Sequence, residues 1–421
     1  MMTATAHPIF QKHQHSAITV LVLAIVLASV IVATRPAQAQ MFEVLYSFQG
    51  SPDASQPLGP LVRDAVGNLF STSIGGGTFG QGTVFKLSAT GKESVLYSFC
   101  IELYCHEGGN PSSPLIRDSK GNFYGTASGG TFNYGFVFEA YPNGGMTVLY
   151  NFTGGADGGG PGGRLLLDDE GSLYGTTSEG GAFRCGYYRN EGCGVVYRLS
   201  KTGDETVLYN FTSSNDWPGP TGGLVRDSKG NLYGMTSARG TYGYGTVFRL
   251  DPNGEMKVLH NFAGGGDGIG PIGSLLRDSK GNLYGETVGG GTVGPCQQNV
   301  CGVVFKLGRT GRETVLHRFV GGLDGLFPSG DLVRDSKCNL YGTTLEGGEY
   351  KNCLNSDCGT VFKIDTNATE KVLYRFTGGA DGGSPGGLIR EADGTLYGAT
   401  GMGGNTTNCA YGCGTVFKVT P

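Results

Sequence analysis

The chain has 421 residues, with 78 glycines and 17 prolines, a composition typical of disordered segments unless the glycines recur at a fixed period. The formal net charge is −4, and it becomes −6 when residues 1–39, which carry two basic residues and no acidic residue, are set aside. The remainder contains no stretch rich in Lys and Arg. Composition therefore argues against nucleic-acid binding and against a polybasic membrane patch.

The first predicted element is an export signal. An apolar run from Ala17 to Ala33 precedes Ala37-Gln38-Ala39, which fits the small-x-small cleavage rule of a signal peptide. We expect cleavage after Ala39, so that residues 40–421 form the mature protein. Because the run approaches the roughly 20 residues that span a bilayer, an uncleaved anchor is the alternative. Both interpretations predict a protein that is secreted, periplasmic or held at the cell surface, without other membrane contact.

Three sequence blocks then recur in step, seven times each. The VLYxF block starts at Val44, Val95, Val148, Val207, Val258, Val315 and Val372. The RDxxGN block starts at Arg63, Arg117, Arg226, Arg277, Arg334 and Arg390, and the third repeat carries its counterpart as DDEGSLYG from Asp168. The GTVFKL block starts at Gly82, Gly135, Gly194, Gly245, Gly302, Gly359 and Gly414.

Each repeat is predicted to be a four-stranded antiparallel meander. In Gly222–Phe262 the strands are GGLVRD, LYGMTS, GTVFRL and KVLHNF, separated by SKGN, a longer loop and DPNGE. Seven such units predict an all-β, seven-bladed β-propeller, in which stacking leaves only short, protected sheet edges. The mature chain opens with a strand-four block, Val44–Phe48, and closes with a strand-three block, Gly414–Val419. The N-terminal strand is therefore predicted to pair into the last blade and close the ring.

The three blocks resemble the tandem repeats of the GloVer-type, choice-of-anchor proteins that bacteria export, and the resemblance runs from Val44 to Val419. It implies export and a propeller-like repeat domain, and it brings no established enzymatic activity. Members of this family often end in a surface-anchoring tail. The chain stops two residues after Val419, so that tail is expected to be absent.

Two kinds of loop vary in length and are predicted to open on the same face, which we call the loop face: those between strands two and three, and those from strand four to the next strand one. The opposite face, the turn face, carries short and uniform turns. Variable loops on a rigid scaffold are where binding usually occurs.

One acid per repeat stands four residues before a proline in the loop from strand four to strand one. The acids are Asp53, Glu107, Asp157, Asp216, Asp267, Asp324 and Asp381. One interpretation is a ring of carboxylates at the channel mouth that attracts a polyhydroxy ligand or a divalent cation such as calcium. The other is that each side chain caps its own turn by accepting backbone N–H bonds.

Ten of the 11 cysteines form close pairs in the loops. The pairs are Cys100 with Cys105, Cys185 with Cys193, Cys296 with Cys301, Cys353 with Cys358, and Cys409 with Cys413. In an exported protein such pairs predict local disulfides, which order the loops rather than hold the ring. Zinc is the rival interpretation, but the pairs lie in different blades, whereas a tetrahedral site needs them to converge. Cys338 replaces a turn glycine and is predicted to be a free thiol.

Few residues suited to catalysis remain in the mature chain. His260 and His317 occupy the tyrosine position of the VLYxF block and are expected to pack as rings. His106, beside Glu107, is the one histidine that could meet a ligand, although exposed loop histidines are more often only solvated. No nucleophile elbow, Walker loop or HExxH pattern is present. Trp217, beside Asp216, is a candidate for stacking on a sugar, although lone loop aromatics more often pack against their neighbours.

These observations predict a monomeric, non-catalytic binding or scaffolding protein that engages a protein or glycan through the loop face and needs no cofactor. The candidate binding residues are the seven loop acids and Trp217, with no catalytic residue or metal ligand assigned. The alternative is an extracellular, metal-dependent lyase or lactonase of the propeller type, with the cation held by the loop acids. A purely structural repeat is the third hypothesis.

Overall fold

The computed structural model describes residues 41–57, 59–100, 108–111, 113–183, 185, 192–212, 220, 222–291, 301–348, 353 and 358–421. The predicted signal peptide lies outside these residues. Within the described part, Phe42–Thr420 forms one unit, and no helix there is both long and apolar enough to cross a membrane.

Seven antiparallel sheets follow one another along the chain, and we number them blades 1 to 7, with strands one to four in each. The strands of blades 1 to 3 are Val62–Arg63, Leu69–Ser73, Thr83–Leu87 and Glu93–Ser98; Ile116–Arg117, Phe123–Ala127, Phe136–Ala140 and Met146–Asn151; and Gly159–Leu167, Leu173–Glu179, Val195–Leu199 and Glu205–Asn210. The strands of blades 4 to 6 are Val225–Arg226, Leu232–Thr236, Thr246–Leu250 and Met256–Asn261; Ile269–Arg277, Leu283–Gly289, Val303–Leu307 and Glu313–Arg318; and Leu326–Arg334, Leu340–Glu346, Thr360–Ile364 and Glu370–Arg375.

Blade 7 is built from both ends of the described chain, which confirms the predicted ring closure. Its strands are Gly383–Pro385 with Ile389–Arg390 as a divided strand one, then Leu396–Met402, Thr415–Thr420 and Met41–Ser47. The N-terminal strand lies beside Thr415–Thr420 in this sheet, and the Phe48 N–H donates to the Gly414 carbonyl oxygen at 3.1 Å. The fold is therefore the all-β, seven-bladed propeller that the repeat predicts.

A few short elements lie in the loops between these strands. They are the paired segments Ala54–Ser55 and Gly75–Gly76, and the 3₁₀ turns Gly265–Asp267 and Gly322–Asp324.

One kind of aromatic ring pair recurs at every junction between blades. The last Phe of the VLYxF block lies edge-on to the aromatic residue of strand three in the following blade, with ring centroids 5.0–5.5 Å apart. The buried pairs are Phe48–Phe85, Phe99–Phe138, Phe152–Tyr197, Phe211–Phe248, Phe262–Phe305, Phe319–Phe362 and Phe376–Phe417. An edge-to-face pair contributes about 1 kcal/mol beyond the burial of its area.

The glycine of the LYG motif in strand two makes room for these rings. A Cβ atom at Gly234 would lie 2.5 Å from Cζ of Phe248, and one at Gly398 would lie 2.5 Å from Cζ of Phe417. A side chain at either position would push the strand-three ring out of its place. These glycines are therefore required by packing and not by a positive φ angle.

The RDxxGN block builds the turn between strands one and two and also ties each blade to the next. Oδ1 of Asp227 accepts backbone N–H bonds from Lys229 and Asn231, and its Oδ2 accepts the Tyr233 hydroxyl at 3.0 Å. Arg277 of the next blade lies over the Tyr233 ring, 5.7 Å from its centroid. This network explains why the turn face is uniform from blade to blade.

Strand one is the inner edge of each blade. Arg164 Nη1 of blade 3 lies 3.4 Å from Asp331 Oδ2 of blade 6, so an ion pair joins strands that are three blades apart and crosses the centre of the ring. Neighbouring strands also meet there at their backbones, since a Cβ atom at Gly273 would lie 2.1 Å from the Gly330 carbonyl oxygen. Strand four is consequently the outer edge.

Loss of the first ring pair tests the closure. We expect Phe48→Ala to lower the free energy of unfolding by about 3 kcal/mol, because Phe48 is fully buried and its ring packs edge-on against Phe85 of blade 1. Denaturant titration followed by far-UV circular dichroism measures the change. Val66→Ala, at a side chain that is 75% exposed, is the control and is expected to stay within about 0.5 kcal/mol of the native chain. Equal stability of both variants would contradict the closure.

Candidate functional site

Exposed aromatic side chains are concentrated on the loop face. Among the described residues, every Phe, Tyr or Trp that is exposed lies in a loop between strands two and three. They are Phe79, Phe132, Tyr134, Phe183, Tyr242, Tyr244 and Tyr411. These seven residues are not among the binding residues predicted from the sequence. In several of these loops they could be recognised as the aromatic residue that follows Gly-Thr or Gly-Ala.

Two of these rings are held in place by glycines of the neighbouring loop. A Cβ atom at Gly154 would lie 2.4 Å from the Tyr134 ring, and one at Gly264 would lie 2.8 Å from the Tyr244 ring. Each tyrosine therefore rests on bare backbone, while 42% of Tyr134 and 41% of Tyr244 remains exposed. A ring fixed in this way loses little conformational entropy when it binds a partner.

Disulfides reinforce the loop face, as predicted. The structure contains the bonds Cys185–Cys193, Cys353–Cys358 and Cys409–Cys413, and Cys338 is a free, exposed thiol. Cys100 and Cys301 are also disulfide-bonded. Their predicted partners, Cys105 and Cys296, lie outside the described residues. Local disulfides of this kind are consistent with a location outside the cytoplasm.

The disulfides reach further into the fold than the sequence suggested. Cys353 and Cys358 are buried in the core cluster of blades 6 and 7, and a Cβ atom at Gly383 would lie 2.5 Å from Cys353 Sγ. Cys409 likewise lies 3.2 Å from the position of a Cβ atom at Gly50. These bonds therefore order a loop and also fill space between one blade and the next.

The loop acids build the loops in which they occur. In each one that the structure describes, a carboxylate oxygen accepts the backbone N–H of the residue four positions earlier, at 2.5–2.9 Å. The tyrosine seven positions earlier donates its hydroxyl to the same carboxylate in Asp53, Asp157 and Asp381. The turn-capping interpretation therefore describes the hydrogen bonding of these side chains, and it ties them to strand four at the outer edge of the ring.

A glutamate from the following blade reaches the same acids at four junctions. Glu93, Glu205, Glu313 and Glu370 each open strand four of the next blade and act electrostatically on Asp53, Asp157, Asp267 and Asp324, respectively. Burial, followed by the neighbouring Asp carboxylate, raises the pKa of Glu93 to about 8 and that of Glu205 to about 7. At the junction of blades 6 and 7 Phe42 takes this position and stacks on Tyr374, with ring centroids 3.7 Å apart.

Two of these four junctions contain histidine in place of tyrosine. We call them the His260 site (His260, Asp267, Glu313) and the His317 site (His317, Asp324, Glu370). In each site one ligand-type atom from every member lies within 4.8 Å of the other two. Both imidazoles pack edge-on to the next phenylalanine of the strand at 4.8 Å, so the predicted ring packing is confirmed. Sequence analysis did not anticipate the clustering because the glutamate comes from the next blade.

A second group of charges lies at the inner edge of the ring. Glu286 is 2% exposed, and burial, with the nearby Asp331 carboxylate as a smaller cause, raises its pKa well above the ordinary range. Asp331 also accepts the Ser274 backbone N–H at 2.7 Å and faces Arg164. The sequence signal is a charged residue directly before the Leu of strand one, where other blades have Pro, Gly or Ser.

Clefts also occur on the turn face. One of about 660 Å³ lies between blades 2 and 3 and is lined by Arg117, Asp118, Tyr124, Glu139 and Lys201 among others. Several of its polar groups already satisfy one another, since the Tyr124 hydroxyl donates to Asp118 and Glu139. We therefore assign this cleft to the repeating turn network.

Four residues singled out in the sequence, His106, Glu107, Asp216 and Trp217, lie outside the described residues. Their predicted roles stay predictions.

A family model described as the Gloeobacter/Verrucomicrobia repeat matches residues 29–189 and 186–417. The chain belongs to the Gloeobacter/Verrucomicrobia repeat family. The resemblance drawn from the VLYxF, RDxxGN and GTVFKL blocks is thereby confirmed. No curated protein matches this Gloeobacter/Verrucomicrobia repeat chain in sequence.

Solved structures share the fold of this Gloeobacter/Verrucomicrobia repeat chain at low sequence identity. The chain is similar to a streptogramin B lyase with a TM-score of 0.55 and 13% identity, over 90% of this chain and 97% of the other. It is also similar to the extracellular domain of a putative hybrid two-component system from B. thetaiotaomicron, with a TM-score of 0.53 and 12% identity, over 90% of this chain and 40% of the other. At such identities the likeness concerns the fold alone.

Removal of the Cys353–Cys358 disulfide tests its role in packing one blade against the next. We expect Cys353→Ser with Cys358→Ser to lower the free energy of unfolding by about 2 kcal/mol, since a short cross-link is lost and two hydroxyls replace buried sulfur. Denaturant titration measures the change, and Cys338→Ser, at the exposed thiol, serves as the control. If the loop becomes mobile while the free energy of unfolding stays unchanged, the disulfide orders only its own loop and has no role in packing between blades.

The half-buried residues Glu93 and Glu205 predict a pH dependence of stability. A carboxyl whose pKa is higher in the folded protein than in the unfolded chain contributes stability that is complete below the unfolded pKa and is lost as pH rises through the folded pKa. The unfolded value is 4.5, and the folded values are about 8 for Glu93 and about 7 for Glu205. With a chelator present, we expect the unfolding temperature to fall between about pH 5 and about pH 9.

The variant pair Glu93→Gln and Glu205→Gln keeps the size of both side chains and removes their titration. We expect it to reduce the fall in unfolding temperature, whereas Glu255→Gln, at an exposed position, leaves the fall unchanged. Differential scanning calorimetry across the pH series measures both. An unfolding temperature that rises over this range would show that the carboxyl pairs do not hold protons.

Proposed function

We propose that the protein is a non-catalytic, extracytoplasmic binding or scaffolding protein that holds a protein or glycan through its loop face. The observation that carries the proposal is the confinement of the exposed aromatic side chains of the described residues to loops of that face. Tyr and Phe supply large contact areas with few rotatable bonds, and they dominate the energetics of protein interfaces.

The composition of the same loops supports this role. The segments GGTFNYG at 129–135 and RGTYGYG at 239–245 combine aromatic residues with Gly, Thr and Asn. This mixture is similar to that of antibody binding loops, in which aromatic anchors stand among small polar residues that adapt their hydrogen bonding. The disulfides restrict the longer loops and so reduce the entropy lost on binding.

The loop acids are proposed to serve this function by shaping the loops. Asp157 uses one carboxylate to hold the Thr153 backbone, the Thr153 hydroxyl and the Tyr150 hydroxyl. Since these bonds occupy the carboxylate, direct contact with a partner is assigned to the neighbouring aromatic residues.

The lyase or lactonase alternative has one feature in its favour. Glu286 and Asp331 bring two carboxyl groups together with Arg164 at the inner edge of the ring, and the raised pKa of Glu286 suits a general acid. The group is buried and already joined by an ion pair, an arrangement that also serves to link blades across the centre. We therefore keep catalysis as the second candidate.

Capture experiments test the proposal. Immobilised mature protein is exposed to native extracellular material, and the retained proteins and glycans are identified by mass spectrometry. We expect the variant with Phe132, Tyr134, Tyr242 and Tyr244 each changed to Ser to retain at least about tenfold less of the same partners, which corresponds to about 1.4 kcal/mol.

Tyr141→Ser, on the turn face, is the matched control and is expected to retain partners as the native protein does. Equal retention by the loop-face variant would contradict the proposed binding surface. A captured glycan or ester that is recovered chemically altered would favour the lyase or lactonase alternative.

A further inference from the structure

We propose that the His260 site and the His317 site each bind one divalent transition-metal ion, of which zinc is the representative. The proposal goes beyond the binding function above and does not rest on it. The proposal starts from a comparison of junctions within this chain. The junction that contains Tyr150 has the same two carboxyl groups as the two histidine sites, but it offers a phenol in place of an imidazole.

The three ligands of each site come from three separate elements. In the His317 site, His317 lies in strand four of blade 5, Asp324 in the loop that follows, and Glu370 in strand four of blade 6. His317 Nε2 is 3.1 Å from Asp324 Oδ1, and a carboxylate oxygen of Glu370 lies within 4.8 Å of the ligand atoms of both residues. Ligands of a tetrahedral zinc ion are about 3.4 Å apart, so the glutamate must approach by roughly 1.4 Å at most.

Unpaired acceptors point to a cation at this position. Glu370 Oε1 is buried and has no hydrogen-bond partner among the described residues, whereas the Glu313 carboxyl lies against that of Asp267. Glu93 and Glu205 have the same unpaired Oε1 at the tyrosine junctions, so the imidazole is what distinguishes the two histidine sites. In the His260 site, His260 Nε2 lies 3.3 Å from Asp267 Oδ1, an ion-pair contact that is not aligned as a hydrogen bond. A buried carboxylate that faces a second carboxylate needs either a shared proton or a cation.

The ligands are also held in position by their surroundings. The Val320 N–H donates to Asp324 Oδ2 at 2.7 Å and leaves Oδ1 directed toward the imidazole. Phe319 fixes the plane of the His317 ring at 4.8 Å. Such outer contacts orient metal ligands and raise their affinity.

The donor set selects the class of metal. One imidazole nitrogen with two carboxylates suits zinc and the neighbouring first-row divalent ions, whereas calcium and magnesium prefer an all-oxygen set. Both sites join adjacent blades, so two ions would clamp blades 4, 5 and 6 together at the outer edge of the ring.

Titration with zinc chloride tests the proposal on the mature protein after treatment with a chelator. We expect isothermal titration calorimetry to give two equivalents of zinc per chain, much weaker binding of calcium, and a higher unfolding temperature with zinc present. The experiment uses the Cys338→Ser background, which removes the exposed thiol as a competing ligand.

The repeat itself supplies the matched variants. His260→Tyr and His317→Tyr copy the junctions that contain Tyr46 and Tyr150, so both are expected to fold, and each is expected to lose one equivalent of zinc. The reverse change, Tyr150→His, places an imidazole beside Asp157 and Glu205 and is expected to add a third equivalent.

Absence of zinc binding to the native protein, or an unchanged stoichiometry in the two His→Tyr variants, would overturn the proposal. Should the His→Tyr variants fail to fold, the Tyr150→His variant decides, because a stoichiometry equal to that of the native protein also refutes the assignment. Partner capture through the loop-face aromatics is a separate readout, so the two proposals can fail independently.

Discussion

The ring depends on the edge-to-face contact between the last phenylalanine of one blade and the strand-three aromatic residue of the next. This contact recurs at all seven junctions with centroid distances of 5.0–5.5 Å, and it is possible only because strand two carries a small residue opposite the ring. The small residue is Gly in six blades and Ser71 in blade 1. One large and one small residue per repeat therefore set the spacing of the blades, and the N-terminal strand supplies the first ring, Phe48.

The two faces of the ring differ because the hydrogen bonds that close their connections differ. On the turn face, the Asp, Asn, Tyr and Arg of the RDxxGN block bond within one turn and reach the neighbouring blade, so a change in turn length would break contacts on both sides. On the loop face, each acid hydrogen-bonds to the backbone of its own turn, and the adjacent loop between strands two and three is free to lengthen. Insertions, disulfides and exposed aromatic residues therefore occur on that face.

The blade junctions show how a repeated scaffold acquires local chemistry. A strand-four ring, a loop acid and the residue two positions before the Val of the next VLYxF block meet at every junction that the structure describes in full. With Tyr and Glu the result is a carboxyl pair in which burial and the neighbouring Asp raise the pKa of the glutamate, and with Phe42 it is a stack of two rings. With His and Glu the same backbone brings one nitrogen and two carboxylates together. A single substitution within the VLYxF block thus changes the character of a junction without altering its packing against the next phenylalanine.

The sequence by itself determined the number of blades, the four strands in each, the closing strand, and the observed disulfide pairs, because all of these follow from local patterns repeated at a fixed spacing. Val44–Phe48 could be assigned to the last blade because the seventh repeat ends with strand three and has no strand four of its own. Only the tertiary structure decided which residues meet between blades, such as His317 with Glu370 or Arg164 with Asp331. Those contacts join residues 53 and 167 positions apart, and the pattern within a single repeat does not reveal them, because they depend on how far one sheet is rotated about the ring relative to the next.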